Sequence, residues 1–142
     1  MCAGECVFCN PKVTKNQKVL ESRYFNVLLD YKPRITGHLL IIPKRHIVKA
    51  HELSQDEWSE MSDIIPKTTE VFSEFLGTSD YIILEKNGRN AFQEVPHVHF
   101  HLFPVHSEAW SDIFDIVPDQ LSQEDLEQQV VLFRGYFNKT GK

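Results

Sequence analysis

The feature that most limits what this chain can fold into is PHVHFHLFPV, Pro96 to Val105. Histidine stands at three alternate positions, His97, His99 and His101, and apolar residues fill the gaps. Successive side chains of a strand point to opposite faces, and neighbours two apart share a face at roughly 6.5–7 Å. Residues two apart on a helix do not share a face. The stretch therefore predicts a strand opening at Pro96, which has no N–H for a ladder. Val98, Phe100 and Leu102 enter a core, and the three imidazoles line the other face.

The rest of the chain supplies partners for such a strand. Val19 to Tyr31 is strand material, with Phe25, Val27 and Leu29 alternating. Lys32 to Gly37 is a turn, and His38 to Pro43 (HLLIIP) is a short apolar strand, so the pair predicts a hairpin with a long loop. Ser54 and Glu57 form a capping box. Trp58, Met61, Ile65, Thr68, Phe72 and Phe75 then recur at helical spacing, which predicts one buried face with Trp58 in the core. Pro66 inside this pattern is expected to kink the helix, and Gly77 to close it. Tyr81 to Glu85 is a further strand, and Asn87-Gly88-Arg89-Asn90 a turn. Ser122 to Phe137 predicts a second helix with Leu126, Val130, Phe133 and Phe137 inward. Residues 107–121 show no period. The sum is an α+β fold: a mostly antiparallel five-stranded sheet, one long helix and a C-terminal helix.

At 142 residues the expected organisation is one domain. It divides into a cysteine-bearing segment 1–17, a core 18–106 and a C-terminal extension 107–142. The net charge is -5 and Lys and Arg do not gather on one face, which argues against nucleic acid as a partner. No apolar run reaches membrane-spanning length and no signal pattern opens the chain, so the expected location is the cytoplasm. Cys2, Cys6 and Cys9 all lie in the first nine residues. An odd number is poor material for a disulfide framework. Cys6-x-x-Cys9 is open to a redox, a metal or an incidental reading, although Asn10-Pro11 does not resemble the helix start of a redox motif.

Three alternating imidazoles also allow three readings: a solvated face, a metal site, or a track for an anionic substrate. A third metal ligand from the same straight strand would lie too far away, which weakens the second.

HVHFHLF resembles the signature of the histidine triad (HIT) superfamily, His-φ-His-φ-His-φ-φ with φ apolar. The upstream order fits as well: Asp30, Gly37-His38, Pro43-Lys44-Arg45-His46, Asn87-Gly88 and Gln93-Glu94-Val95. The resemblance covers about residues 6 to 104. It implies a nucleotide-binding fold that hydrolyses or transfers nucleotidyl groups at the α-phosphate, on dinucleoside polyphosphates or nucleoside phosphoramidates. An adenine ribonucleotide conjugate is the family's usual substrate.

By that resemblance His99 is the nucleophile, oriented through the carbonyl of His97. Neutral imidazole, with a pKa about 6.5, attacks phosphorus without first losing a proton. His101 would bind the α-phosphate or the leaving oxygen, and His38 would orient the histidines from behind. Gln93 and backbone N–H groups before the triad would hold phosphate oxygens, Asp30 the ribose hydroxyls, and Asn87 the ligand loop. The simpler role for Asp30 is a turn cap.

Some members carry a structural zinc, and its ligands map to Cys6, Cys9, His46 and His97, a closed Cys₂His₂ set. Cys2 is then a spare thiol. Members are commonly homodimers with sheets joined across the interface. Two positions depart from the pattern: Phe92 stands where glycine is common, and Glu94 where some members have Ser or Thr. A carboxylate at Glu94 repels phosphate unless it turns away. Trp110 is expected in core or dimer packing, or over the base. A transferase with a non-water acceptor, or a zinc-stabilised binding protein with little turnover, are the alternative functions.

Overall fold

The computed structural model describes residues 6–140; Cys2 lies outside them. Five strands form one sheet: β1 (Lys18–Glu21), β2 (Phe25–Leu29), β3 (Leu39–Pro43), β4 (Asp80–Glu85) and β5 (Phe100–Val105). Their spatial order is β1-β2-β3-β5-β4, and every pairing is antiparallel. The helices are α1 (Pro11–Thr14), α2 (Gln55–Val71), α3 (Trp110–Phe114) and α4 (Gln123–Thr140). The α+β arrangement read from the sequence is the one observed.

The period of two sorts the strand residues onto two faces. Phe25, Val27, Leu29, Leu39, Ile41, Phe100 and Leu102 pack into the main core with Met61, Val71 and Phe72 and with Leu126, Val130, Phe133 and Phe137 of α4. Leu28, Leu40 and Ile42 point the other way and meet Phe8. His101 and Phe103 alternate with Phe100 and Leu102, so they share that second face. The helices cover one face, and the histidines lie on the other.

Three local expectations differ from the structure. Residues 19–31 make two strands, not one: Ser22 to Tyr24 turn the chain, and the Glu60 carboxylate accepts from the N–H groups of Arg23 (2.8 Å) and Tyr24 (2.7 Å). Trp58 is 42% exposed. The buried face of α2 runs through Glu57, Met61, Ile64, Thr68 and Val71. Glu57 takes the inward slot because its carboxylate is satisfied by Arg45 (2.7 Å) and by the Ser54 N–H (2.8 Å). Pro66 lies on the solvent side within α2. One wide turn, Phe72–Leu76, follows before Gly77 closes the helix in the left-handed conformation.

The third difference concerns the histidine stretch. β5 starts at Phe100, not Pro96, so His97 and His99 precede it. The β3–β5 register pairs Ile41 with Phe100 and would bring Pro43 opposite Val98. Pro43 has no N–H to give. Its carbonyl instead lies 2.8 Å from His97 Nε2, and the Val98 N–H donates to Ile47 O (2.8 Å).

Gly37 shows how tightly the loop before β3 is set. Its φ is +89°, and an added Cβ would stand 2.5 Å from Leu76 Cδ1 and 3.0 Å from Pro104 Cγ. Gly37→Ala combines left-handed strain with overpacking and is expected to cost about 2–4 kcal/mol. Thermal unfolding should fall by about 5 °C or more; an unchanged midpoint would show that this loop is not fixed by contact with Leu76 and Pro104.

Candidate active site

A cavity of about 610 Å³ opens on the second face of the sheet. His99, His101, His38 and Asp30 line it together. His99 Nδ1 lies 2.8 Å from the carbonyl of His97. A carbonyl only accepts, so Nδ1 carries the proton and Nε2 keeps its lone pair. The Arg34 N–H donates to His38 Nδ1 (3.3 Å), which leaves the proton of His38 on Nε2. His38 Nε2 then donates to His101 Nδ1 (2.9 Å). His101 therefore holds its own proton on Nε2. This chain of assignments yields one ring with a lone pair and one ring with an N–H, with ring centroids 4.9 Å apart.

Burial keeps these rings neutral. His38 is 1% exposed, and its pKa lies well below the ordinary value, first through burial and then through the neighbouring His101. His101 is lowered to about 3 by burial and then by His99. His99 is also lowered, burial again leading. Phe103 stacks parallel to His101 at 5.7 Å and lies 4.3 Å from His38. Asp30 is raised to about 6 by burial, against the Lys32 N–H and the charges of Arg34 and Lys32. Its Oδ1 accepts from Lys32 N (2.9 Å), so it does cap the turn, while Oδ2 approaches His38 Nδ1 at 3.5 Å. His38 is neutral, so that approach is not an ion pair.

The neutral His38–His101 pair makes folding stability depend on pH. A histidine with a depressed folded pKa contributes stability above its unfolded pKa, about 6.5, and loses it as pH falls toward the folded value, about 3 for His101. Asp30, raised to about 6, works in the opposite sense below pH 6 and offsets one histidine only. Urea unfolding free energies are expected to fall from pH 7 to pH 5, with a shallower fall in His101→Asn. Equal slopes in the two proteins would disprove the assignment.

The second cluster lies at the start of the chain. Cys6 Sγ is 3.3 Å from His97 Nδ1, Cys9 Sγ is 3.4 Å from His46 Nδ1 and 3.5 Å from His97 Nδ1, and the two Nδ1 atoms are 3.2 Å apart. All four donor atoms lie within 4.8 Å of one another. A tetrahedral zinc with bonds of about 2.0 Å to nitrogen and about 2.3 Å to sulfur sets its donors about 3.3–3.8 Å apart. The donor set and its spacing fit that ion. His97 thus turns away from the other two histidines: its Nε2 is taken by Pro43 and its Nδ1 faces the cysteines. Phe8, between the cysteines, presents its ring edge-on to His99 at 5.0 Å.

Two residues expected at the ligand do not line the cavity. Gln93 Oε1 accepts from Gly88 N (2.7 Å) and its Nε2 donates to Val48 O (2.8 Å). Asn87 Oδ1 accepts from Ala50 N (2.7 Å), and its Nδ2 donates to Glu85. Both side chains tie the 86–95 loop to the backbone of residues 48–50, whose polar groups need partners. Phe92 adopts the left-handed conformation a glycine would take, φ +65°, and stands 77% exposed at the cavity rim. Glu94 is among the residues that line the cavity, and its charge acts on His99. The sequence reading missed Lys86, Arg34 and Phe8 as lining residues, and Gln120 and Leu121 from the stretch without a period. Position 86, one before the expected Asn87, had no signal beyond its charge. Trp110 is 62% exposed and packs on Phe114 at 4.2 Å, outside the cavity lining.

The family model for the HIT domain matches residues 11–108. An adenosine 5'-monophosphoramidase of Schizosaccharomyces pombe is 37% identical over 109 residues, covering 74% of this chain and 77% of that protein. An asymmetrical bis(5'-nucleosyl)-tetraphosphatase of the same organism is 29% identical over 97 residues, 68% of this chain and 53% of that one. Among solved structures, a Zn-bound histidine triad family protein from Mycobacterium smegmatis superposes with a TM-score of 0.74 at 25% identity, covering 95% and 94% of the two chains.

Proposed function

The chain belongs to the HIT family, and from that premise we propose that it is a nucleotide hydrolase acting at the α-phosphate of nucleoside phosphoramidates or dinucleoside polyphosphates. One observation carries the reading: the His97 carbonyl fixes the proton of His99 on Nδ1, so a neutral Nε2 lone pair is ready inside the cavity. In this reading His99 Nε2 bonds to the α-phosphorus as the bond to the leaving group breaks. Water then attacks the nucleotidyl-histidine, the P–N bond breaks, and the mononucleotide leaves. His101 is held neutral with its N–H on Nε2, so that N–H donates to a phosphate or leaving oxygen. His38 fixes that tautomer from behind. Asp30 accepts from the ribose hydroxyls, and Lys86 offsets phosphate charge. Gln93 and Asn87 act through the loop they brace, whose backbone N–H groups are the phosphate donors.

Cys6, Cys9, His46 and His97 would hold a structural zinc, which supplies a cross-link between the N-terminal segment and the sheet and no open coordination position. The similarity to a monophosphoramidase supports the phosphoramidate substrate, and the likeness to a tetraphosphatase the polyphosphate. β4 is an edge strand exposing Tyr81 and Ile83, which supports a homodimer with joined sheets. No helix among the described residues is long and apolar enough to cross a membrane, in keeping with the cytoplasmic location proposed here.

The test is to incubate the protein with adenosine 5'-phosphoramidate and, separately, with diadenosine tetraphosphate, and to follow release of AMP. Release from either, with a nucleotidyl adduct on the protein by mass, is the expected result. Tight nucleotide binding without release in water or with added alcohol acceptors would show a binding module instead.

A further inference from the structure

The two positions where this chain departs from the family pattern, Phe92 and Glu94, both line the cavity. They lie on one side of the histidines. β5, which His99 precedes and which carries His101, stands between β3 and β4 in the sheet. Asp30 follows β2 and His38 precedes β3, so both belong to the β3 side. The 86–95 loop leaves β4 on the other side, where Glu85 pairs with Phe100 and Lys86 comes level with His99. From this loop Lys86, Phe92, Glu94 and Val95 line the cavity. Phe92 is 77% exposed at the rim in the left-handed conformation (φ +65°). That conformation is unfavourable for a bulky residue, and such residues gather at functional sites. The charge of Lys86 acts on both His99 and His101, and that of Glu94 acts on His99. Neither Lys86 nor Glu94 has an ion-pair partner among the described residues, so both charges are available to a ligand.

A nucleotide conjugate has one covalent order: base, ribose, α-phosphorus, leaving group. With the ribose at Asp30 and phosphorus at His99, the leaving group extends past His99 toward the 86–95 loop. We propose that Phe92 and Glu94 form a leaving-group subsite that selects an amine with an apolar body over a phosphate; this rests on the nucleotide hydrolase reading above. Lys86 faces both histidines and so serves the α-phosphate, which every substrate shares. Glu94 is the specificity-determining residue. A carboxylate only accepts hydrogen bonds. The nitrogen of a phosphoramidate carries an N–H to donate, whereas the oxygens of a polyphosphate leaving group bring lone pairs and negative charge. As His99 Nε2 bonds to phosphorus the P–N bond breaks, and the nitrogen keeps the bonding pair and takes a proton from solvent. The free amine takes a second proton at neutral pH, and the ammonium is stabilised beside the carboxylate. A phosphate leaving group meets only repulsion there. Phe92 supplies apolar contact for a substituent on the nitrogen.

The experiment measures kcat/KM for adenosine 5'-phosphoramidate, its N-(2-phenylethyl) derivative and diadenosine tetraphosphate. It uses the full chain and the variants Glu94→Gln and Phe92→Gly, with thermal unfolding as the fold control. The wild type is expected to prefer the phenylethyl compound to the unsubstituted one, and either to the tetraphosphate. Glu94→Gln is expected to lower the phosphoramidate-to-tetraphosphate ratio by about tenfold or more. Any effect of the Glu94 charge on His99 itself is common to all substrates and cancels in that ratio. Phe92→Gly, which also relieves the left-handed conformation, is expected to lower the phenylethyl-to-unsubstituted ratio by about fivefold or more. A merely structural role would change all substrates alike, and an unchanged ratio in either variant overturns the subsite as stated. A wild type that turns over the tetraphosphate as well as the phosphoramidates overturns it too, while leaving the hydrolase reading intact. A wild type that turns over none of the three removes both.

Discussion

Replacing His99 by alanine is expected to lower kcat by about 10⁴-fold or more, with the affinity for AMP changed by less than about threefold. The expected loss is large because, among the described histidines of the cavity, His99 alone keeps a ring lone pair clear of a hydrogen bond. His38 and His101 spend their Nδ1 lone pairs on hydrogen bonds from Arg34 and His38, and His97 turns toward the cysteines. Removing a nucleophile leaves only the catalysis supplied by binding and electrostatics. The cavity walls and Asp30 are untouched, so binding is retained. Quenched reactions followed by mass spectrometry should show a nucleotidyl adduct on the wild type and none on the variant. Wild-type turnover in His99→Ala would remove it as nucleophile and return the chemistry to direct attack by water.

The second large effect concerns the N-terminal cluster. Cys6→Ser is expected to reduce zinc from about one ion per chain to near none, and to lower the unfolding midpoint by about 10 °C or more. A serine hydroxyl is not ionised at neutral pH and is a poor ligand beside two imidazoles. A structural ion of this kind contributes folding free energy directly. The consequence reaches the cavity, because Phe8 lies between Cys6 and Cys9 and sets its ring against His99 and the Leu28–Leu40–Ile42 patch. KM should therefore rise in the variant more than kcat falls. Metal analysis decides the matter independently of activity: full zinc content in Cys6→Ser would exclude Cys6 from the ligand set.

Much of this site is legible in the order of residues. The alternation HVHFHLF correctly places Val98, Phe100 and Leu102 in the core. His99 and His101 come to one cavity as the period of two requires, and Cys6, Cys9, His46 and His97 come within ligand distance of one another. The strand start is not legible, because it depends on which residue of β3 stands opposite. That residue is Pro43, and its missing N–H ends the ladder two pairs early. The placement of Trp58 fails for a similar reason. Hydrophobic spacing could not show that Glu57 would find Arg45 and Ser54, and so take the buried slot. Gln93 and Asn87 were expected at the ligand; in the structure their amides bond Gly88 and the backbone of Val48 and Ala50, partners that no local pattern shows.

The order of residues alone determined the elements with strong periodicity, α2, α4 and β5 among them, and the chemical types available to the site. Periodicity and donor chemistry are properties of neighbours along the chain. The tertiary structure brings the Cys6 sulfur to His97 and the His97 carbonyl to His99, as the resemblance implied, and it alone decided the tautomers of His38 and His101 and the bonds from Arg34 to the carbonyls of Ile113 and Ile116. Those outcomes depend on contacts between segments 79 or more residues apart in the case of Arg34 and 91 for Cys6 and His97. Such contacts are set by how the sheet and helices pack, and no local pattern carries them.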